Sequence, residues 1–225
     1  MTVFAQSGYG LRLDWGTEGL AALSGDCRVL VVVDVLSFST RVDLLLAEGR
    51  RVRPVRWAEP DPPPGDAVPL RSPNGATLSA QASATGAHVL TACLRNAAAV
   101  ARAVAQLAGE APIGIVAGGE RWGVDLAARP GAEGPLRPCA EDHLGAGAVV
   151  AALLDLGAGD ASPEASLAAL TFRAAGERIG ALVAECVSGR ELRAHGERHV
   201  VKHAGAVGVS AVVPVLGGDG VYRHG

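Results

Sequence analysis

The chain has 225 residues, a formal charge of −3 and 49% apolar residues with only 4% aromatics. That is enough to bury a full α/β core, as one large domain or two small ones. The near-balanced charge excludes a strongly basic nucleic-acid surface, and the apolar content excludes a disordered chain.

The first strong signal in chain order runs from Arg28 to Thr40. Val29-Leu-Val-Val-Val33 reads as a strand buried on both faces, as in the middle of a parallel sheet. It ends in Asp34 and a loop carrying Ser37, Ser39 and Thr40. Val42, Leu45 and Leu46 then predict a helix closed at Glu48-Gly49. The cluster Arg50-Arg51-Val-Arg53 reads as a solvated strand edge, and residues 52–57 as a second short strand. The proline-rich stretch 59–66 predicts a rigid exposed turn, and Asn74-Gly75 a further turn.

His88 to Cys93 reads as the end of a strand. Asn96 is expected to cap a helix over 97–107 by accepting an orphan amide. Residues 112–117 form the next buried strand, ending in Gly118-Gly119-Glu120. A long loop over 121–140 leads to Glu141-Asp142, and loops of that length inside a domain are usually functional or mobile. An alanine-rich helix is predicted over 144–156. A helical region follows over 162–188 with breaks at Gly176 and Gly180, and a last short strand over 211–216 has a proline at its edge.

The four cysteines (Cys27, Cys93, Cys139, Cys186) are far apart with no CxxC pair, which predicts reduced, mostly buried thiols. The opening Met-Thr-Val-Phe-Ala-Gln lacks a basic n-region, and no run approaches the roughly 20 apolar residues of a membrane span. The expectation is a cytoplasmic protein with no membrane and no nucleic-acid partner. Its alanine-rich helices would suit a homodimer as readily as a core.

Four polar sites recur at the end of an apolar run and the start of the next element. They are Asp34 with Ser37, Ser39 and Thr40; Asn74-Gly75 with Thr77; Asn96; and Glu120 with Glu141-Asp142. Parallel strands bring their carboxyl ends to one sheet edge, so these sites are predicted to converge. Burying such carboxylates is costly without compensation. Two or three carboxylates with amides and hydroxyls form a hard-oxygen set that suits Mg²⁺, and helix-start amides near Ser37 and Asn96 suit an anion such as phosphate. Each residue also has a plainer reading. Asp34 could cap the following helix, and acids such as Glu141 and Asp142 are favoured in any first helical turn. Adjacent helix residues point about 100° apart, so one of that pair is expected to be the ligand. His199 and His203 share a helix face but lack the glutamate of a zincin. His143 is a weaker candidate proton donor.

At these residues the chain resembles the Mg²⁺-dependent 2-phosphosulfolactate phosphatases of coenzyme M biosynthesis. The matching pieces are Val33-Asp34-Val-Leu, Asn74-Gly75-Ala-Thr77, Leu94-Arg95-Asn96-Ala, Val116-Ala-Gly, Glu141-Asp142-His-Leu-Gly-Ala-Gly, Ser188-Gly-Arg-Glu-Leu192 and Val213-Pro214. The resemblance implies an α/β fold with a largely parallel central sheet flanked by helices, spanning residues 1–225 as one domain with room for two sub-layers. It also implies hydrolysis of a small phosphorylated, sulfonated acid. In that reading Asp34, Glu141 and Asp142 are catalytic, and Asp34, Glu120, Glu141 and Asp142 hold Mg²⁺. Ser37, Ser39, Thr40, Asn74, Gly75, Thr77, Asn96 and Arg95 bind substrate. The chain departs from the family at Ser37, where relatives carry arginine. It also lacks a Gly-Gly-Glu-Arg-Gly-Gly segment, the region having shrunk to the stretch 59–71. Arg71, Arg95 or Arg121 would then rebuild the phosphate site. The alternative implied by those departures is a small-anion binding protein of the same fold, non-catalytic or diverged in substrate.

Overall fold

A computed structural model describes residues 3–60, 62–124 and 134–225. Its strands are β1 (Leu11–Trp15), β2 (Val29–Val33), β3 (Arg51–Arg56), β4 (Ala67–Ser72), β5 (His88–Ala92), β6 (Ile113–Ala117), β7 (Glu120–Arg121), β8 (Leu136–Arg137), β9 (Pro214–Leu216) and β10 (Tyr222–His224). Its α-helices are α1 (Gly16–Leu23), α2 (Phe38–Ala47), α3 (Gly75–Ser83), α4 (Ala97–Ala108), α5 (Ala140–Asp155), α6 (Pro163–Ala175), α7 (Ile179–Glu185), α8 (Val187–Ala194) and α9 (Arg198–Ala204). Eight strands form one sheet in the order β1-β6-β2-β5-β9-β10-β3-β4, and β7 pairs with β8 separately. The β1, β6, β2 and β5 block is parallel throughout, and β3 is parallel to β4. The short β9 and β10 join the two blocks through antiparallel pairings.

Strand alternation explains the layers. Val29, Val31 and Val33 of β2 face a core shared with α4, α5, α6 and the small helices that follow. Leu30 and Val32 point the other way, to Leu20 and Leu23 of α1 and Leu78 and Ala82 of α3. A third cluster joins Phe38, Val42 and Leu46 of α2 to Val52 and Tyr222. Every β2 residue is buried, as expected of a strand covered on both faces. Gly145 and Gly147 let α5 sit tightly in its place. A Cβ on Gly145 would lie 2.5 Å from Val35 Cγ2, and one on Gly147 only 2.2 Å from the Ala168 carbonyl oxygen of α6.

Several local readings need correction. The unit β1–α1 is not among the expected elements, although Leu11, Leu13 and Trp15 alternate with polar residues, and β1 forms an edge of the sheet. Asn74-Gly75 is no hairpin turn but the start of α3. The helix after Asp34 begins at Phe38, ahead of the first periodic apolar residue. Asn96 stands at the N-cap of α4 without a side-chain cap bond. Its Oδ1 instead accepts the Cys93 N–H at 2.9 Å, and its Nδ2 donates to the Val212 carbonyl at 3.2 Å. Residues 125–133 of the predicted long loop, and Asp61 of the proline-rich turn, lie outside the described residues. The four cysteines form no disulfide. Among the described residues no helix is long and apolar enough to cross a membrane.

Candidate active site

Asp34 directly follows β2, the strand flanked by β6 and β5 at the middle of the parallel block. Its neighbours arrive from both blocks of the sheet. Ser72, the last residue of β4, donates from Oγ to Asp34 Oδ2 at 3.1 Å, and the Gly75 N–H donates to the same oxygen at 2.8 Å. In a flat sheet five strand spacings of about 4.8 Å would put β4 about 24 Å from β2. The sheet must therefore curl strongly to bring these two strand ends together. Gly75 is required at this approach, because a Cβ there would lie 2.4 Å from Phe38 Cδ1 and 2.7 Å from Asp34 Oδ2.

The turn after Asp34 is held by its own hydroxyls. Thr91 Oγ1 donates to the Val32 carbonyl at 2.8 Å. Its proton is thereby committed, so Ser39 Oγ donates to Thr91 Oγ1 at 2.7 Å and accepts the Asp34 N–H at 2.9 Å. Thr40 Oγ1 donates to the Val35 carbonyl at 2.8 Å. Both hydroxyls are fully buried and fix backbone. Neither lines the cleft that contains Asp34.

Asp142, in the first turn of α5, ties two strand ends together. Its Oδ1 accepts the Val35 N–H at 2.7 Å and its Oδ2 the Gly119 N–H at 2.8 Å. Glu141 beside it is 2% exposed, and its Oε1 is buried with no hydrogen-bond partner. The pair thus divides, with one acid committed to backbone and the other holding an uncommitted oxygen. Glu120, in β7, accepts the Asn74 Nδ2–H at 3.0 Å on Oε2.

These four acids feel one another. Burial raises Asp34 above the usual carboxylate range, and the Glu141 charge adds to that, against the Gly75, Ser72 and Phe38 donors. Burial first, then Asp34 and Glu141, push Glu120 up to about 8. Burial, Asp34 and Glu141 also raise Asp142. Both Asp142 oxygens already accept backbone N–H groups, so a proton shared by the cluster settles more readily on Glu120.

A cleft of about 120 Å³ opens over Asp34, walled by Ser37, Trp57, Asn74, Glu120 and Ser188 among others. Glu141 and Asp142 do not line it. Thr77 and Arg121 line a separate chamber of about 310 Å³ on the far side of Asn74. Arg95 and Asn96 are committed elsewhere. Arg95 Nε donates to the fully buried Asp43 at 2.7 Å, and Asn96 is spent on backbone as described. Arg71 lines the cleft, but its Nη1 donates to the carbonyls of Arg56, Trp57 and Glu59. Ser37, at the position of the expected arginine, accepts a bond from Arg41 Nε at 3.1 Å, and Arg41 also pairs with Glu197 at 3.0 Å. His143 stacks on Trp15 with centroids 6.2 Å apart, outside the cleft, and burial lowers its pKa. His199 pairs with Glu197 at 3.6 Å on an exposed helix end.

Ser72 and Ser188 are absent from the residues expected at the site. Ser72 was detectable only as a hydroxyl two residues before Asn74, and Ser188 as the first residue of the Ser188-Gly-Arg-Glu-Leu192 piece.

Among the described residues no group of three or more His, Cys, Asp or Glu side chains is arranged as a metal site. That arrangement is not what Mg²⁺ demands, since it commonly takes one or two carboxylates and completes its shell with water and substrate oxygens. A buried carboxylate oxygen without a partner, among acids whose pKa values are raised by each other, fits a hard cation. The model of a protein family described as 2-phosphosulpholactate phosphatase matches residues 54–219. The matched span contains Asn74, Glu120, Glu141, Asp142 and Ser188, and Asp34 lies before it.

Proposed function

The chain belongs to the 2-phosphosulpholactate phosphatase family, and from that membership and the acid cluster we propose a Mg²⁺-dependent phosphatase that converts 2-phosphosulfolactate to 3-sulfolactate and phosphate. The family is one of phosphoric monoester hydrolases. The observation that carries the reading is the meeting of Asp34, Glu120, Glu141 and Asp142 beside one cleft, with Glu141 Oε1 unpartnered.

In this reading Asp34 and Glu141 hold the cation, with Glu120 at its margin. Asp34 Oδ1 accepts only a long bond from the Phe38 N–H at 3.4 Å, so it keeps lone pairs for a ligand. Asp142 is a positioning residue that fixes the ends of β2 and β6. Bound Mg²⁺ would supply Lewis-acid stabilisation of charge on the phosphoryl oxygens. Ser37 and Asn74 face the cleft and orient the phosphate. As water adds to phosphorus and the P–O bond to the leaving group breaks, the proton the water sheds passes to the leaving alkoxide, and Glu120, fixed through Oε2 by Asn74, lines the cleft where that transfer would take place.

The test is phosphate release from a panel of small anionic phosphate esters, 2-phosphosulfolactate included, with Mg²⁺ and with chelator. Release is expected only with Mg²⁺, and Asp34→Asn is expected to lower turnover at least ~10²-fold while the circular dichroism spectrum is retained. Absence of release from every ester at high enzyme concentration would instead support an anion-binding protein of this fold.

A further inference from the structure

We propose that the start of α8, with the Ser188 hydroxyl, seats an anionic oxygen of the substrate phosphate. This rests on the phosphatase reading above. Ser188 is 4% exposed and lines the Asp34 cleft, yet its Oγ is buried without a hydrogen-bond partner. Leaving a buried hydroxyl unpaired costs its full desolvation, so native structures rarely do so without a ligand or water to take the bond.

The backbone around it forms a helix start. Cys186 caps α8. Its Sγ accepts the Gly189 N–H at 3.3 Å, and its carbonyl accepts the Arg190 N–H at 2.9 Å. Val187 and Ser188 are the first two residues of α8, whose leading N–H groups have no partner within their own helix. The unpartnered hydroxyl thus stands at a helix start, where the helix dipole also favours negative charge. Its aim is fixed by Gly189, since a Cβ there would lie 2.0 Å from the Val183 carbonyl oxygen and force α8 off α7.

Among the other hydroxyl and amide side chains of the cleft wall, Ser72 donates to Asp34 and Asn74 to Glu120, while Ser37 accepts from Arg41 and keeps its own proton for the phosphate. The Glu141 carboxylate faces the same helix start and helps burial push the Cys186 thiol up to about 12. An anion approaching Ser188 is thus repelled by Glu141 unless a cation neutralises it, so phosphate and Mg²⁺ should bind together.

The experiment is thermal melting and calorimetric titration of wild type and Ser188→Ala with inorganic phosphate, in Mg²⁺ and in chelator, alongside KM for the ester that is turned over. Without phosphate, Ser188→Ala should melt at the wild-type temperature or higher, because it removes only an unpaired polar group. With Mg²⁺ present, its phosphate affinity should fall about 10- to 100-fold, the equivalent of one hydrogen bond to a charged oxygen. A variant that melts lower without phosphate, or binds it as wild type does, overturns the assignment and leaves the phosphatase reading intact. Wild-type protein that binds phosphate through Ser188 but hydrolyses no ester overturns that reading and leaves the anion seat standing.

Discussion

Glu141 and Asp142 are adjacent, buried and acidic, but their substitution should have opposite effects on stability. Asp142 accepts two buried backbone N–H groups, from Val35 at 2.7 Å and Gly119 at 2.8 Å. Asparagine keeps one acceptor oxygen and turns an NH₂ towards the other donor, leaving one buried N–H unpaired at a cost of about 1–3 kcal/mol. For a chain of this size each kcal/mol shifts Tm by about 2–4 °C, so Asp142→Asn should melt about 2–12 °C lower. Asp142→Ala strands both N–H groups and should lose about twice as much. Glu141→Gln breaks no bond at Oε1, which has no partner, and removes a charge that raises both Asp34 and Asp142. In chelator it should melt at or above the wild-type temperature while abolishing Mg²⁺-dependent turnover. Differential scanning calorimetry at neutral pH measures all three. Wild-type stability in Asp142→Asn, or a large loss in Glu141→Gln, would refute the division of labour between the two acids.

Three further outcomes follow from the same geometry. Gly75→Ala places a methyl against the Phe38 ring and Asp34 Oδ2, and it should cost about 1–3 kcal/mol in urea unfolding and reduce turnover by displacing Asp34. Glu120, at about 8 in the folded chain against its ordinary 4.5, binds its proton more tightly when folded. Its contribution to stability is full below about pH 4.5 and is lost as pH rises through about 8. Metal-free protein should therefore melt lower at pH 8.5 than at pH 6, with a shallower slope in Glu120→Gln or in Mg²⁺. Arg95→Ala leaves the fully buried Asp43 carboxylate without its guanidinium and should cost about 3–5 kcal/mol, yet KM should stay unchanged at a temperature where the variant is folded. A raised KM would return Arg95 to the substrate site.

The strongest local signals survive in the structure because burial on both faces writes itself into sequence. The run ending at Asp34 is β2, residues 112–117 give β6, and the alanine-rich segments after Asn96 and Glu141 give α4 and α5. Weak elements escape that rule. In β1 the residues Leu11, Leu13 and Trp15 do alternate with Arg12 and Asp14, but the strand is only five residues long and its polar Arg12 is itself buried, its charge met by the carbonyl oxygens of Tyr9 and Ala5 and by Asp26. The polar residues were legible as a set but not one by one. Ser39, Thr40, Asn96 and Arg95 have the chemistry of ligands and are used as scaffold, because buried backbone groups and Asp43 compete for the same donors and acceptors.

Sequence by itself determined an α/β chain with acids at the ends of buried strands, since hydrophobic period and strand-end polarity are local properties. Tertiary structure decided which of those acids meet and what each one does. The curl that brings Ser72 and Gly75 onto Asp34 joins residues separated by four intervening strands, and no local pattern encodes that distance. Asp142 became structural and Glu141 unpartnered only because the ends of β2 and β6 present their N–H groups to one of two adjacent side chains.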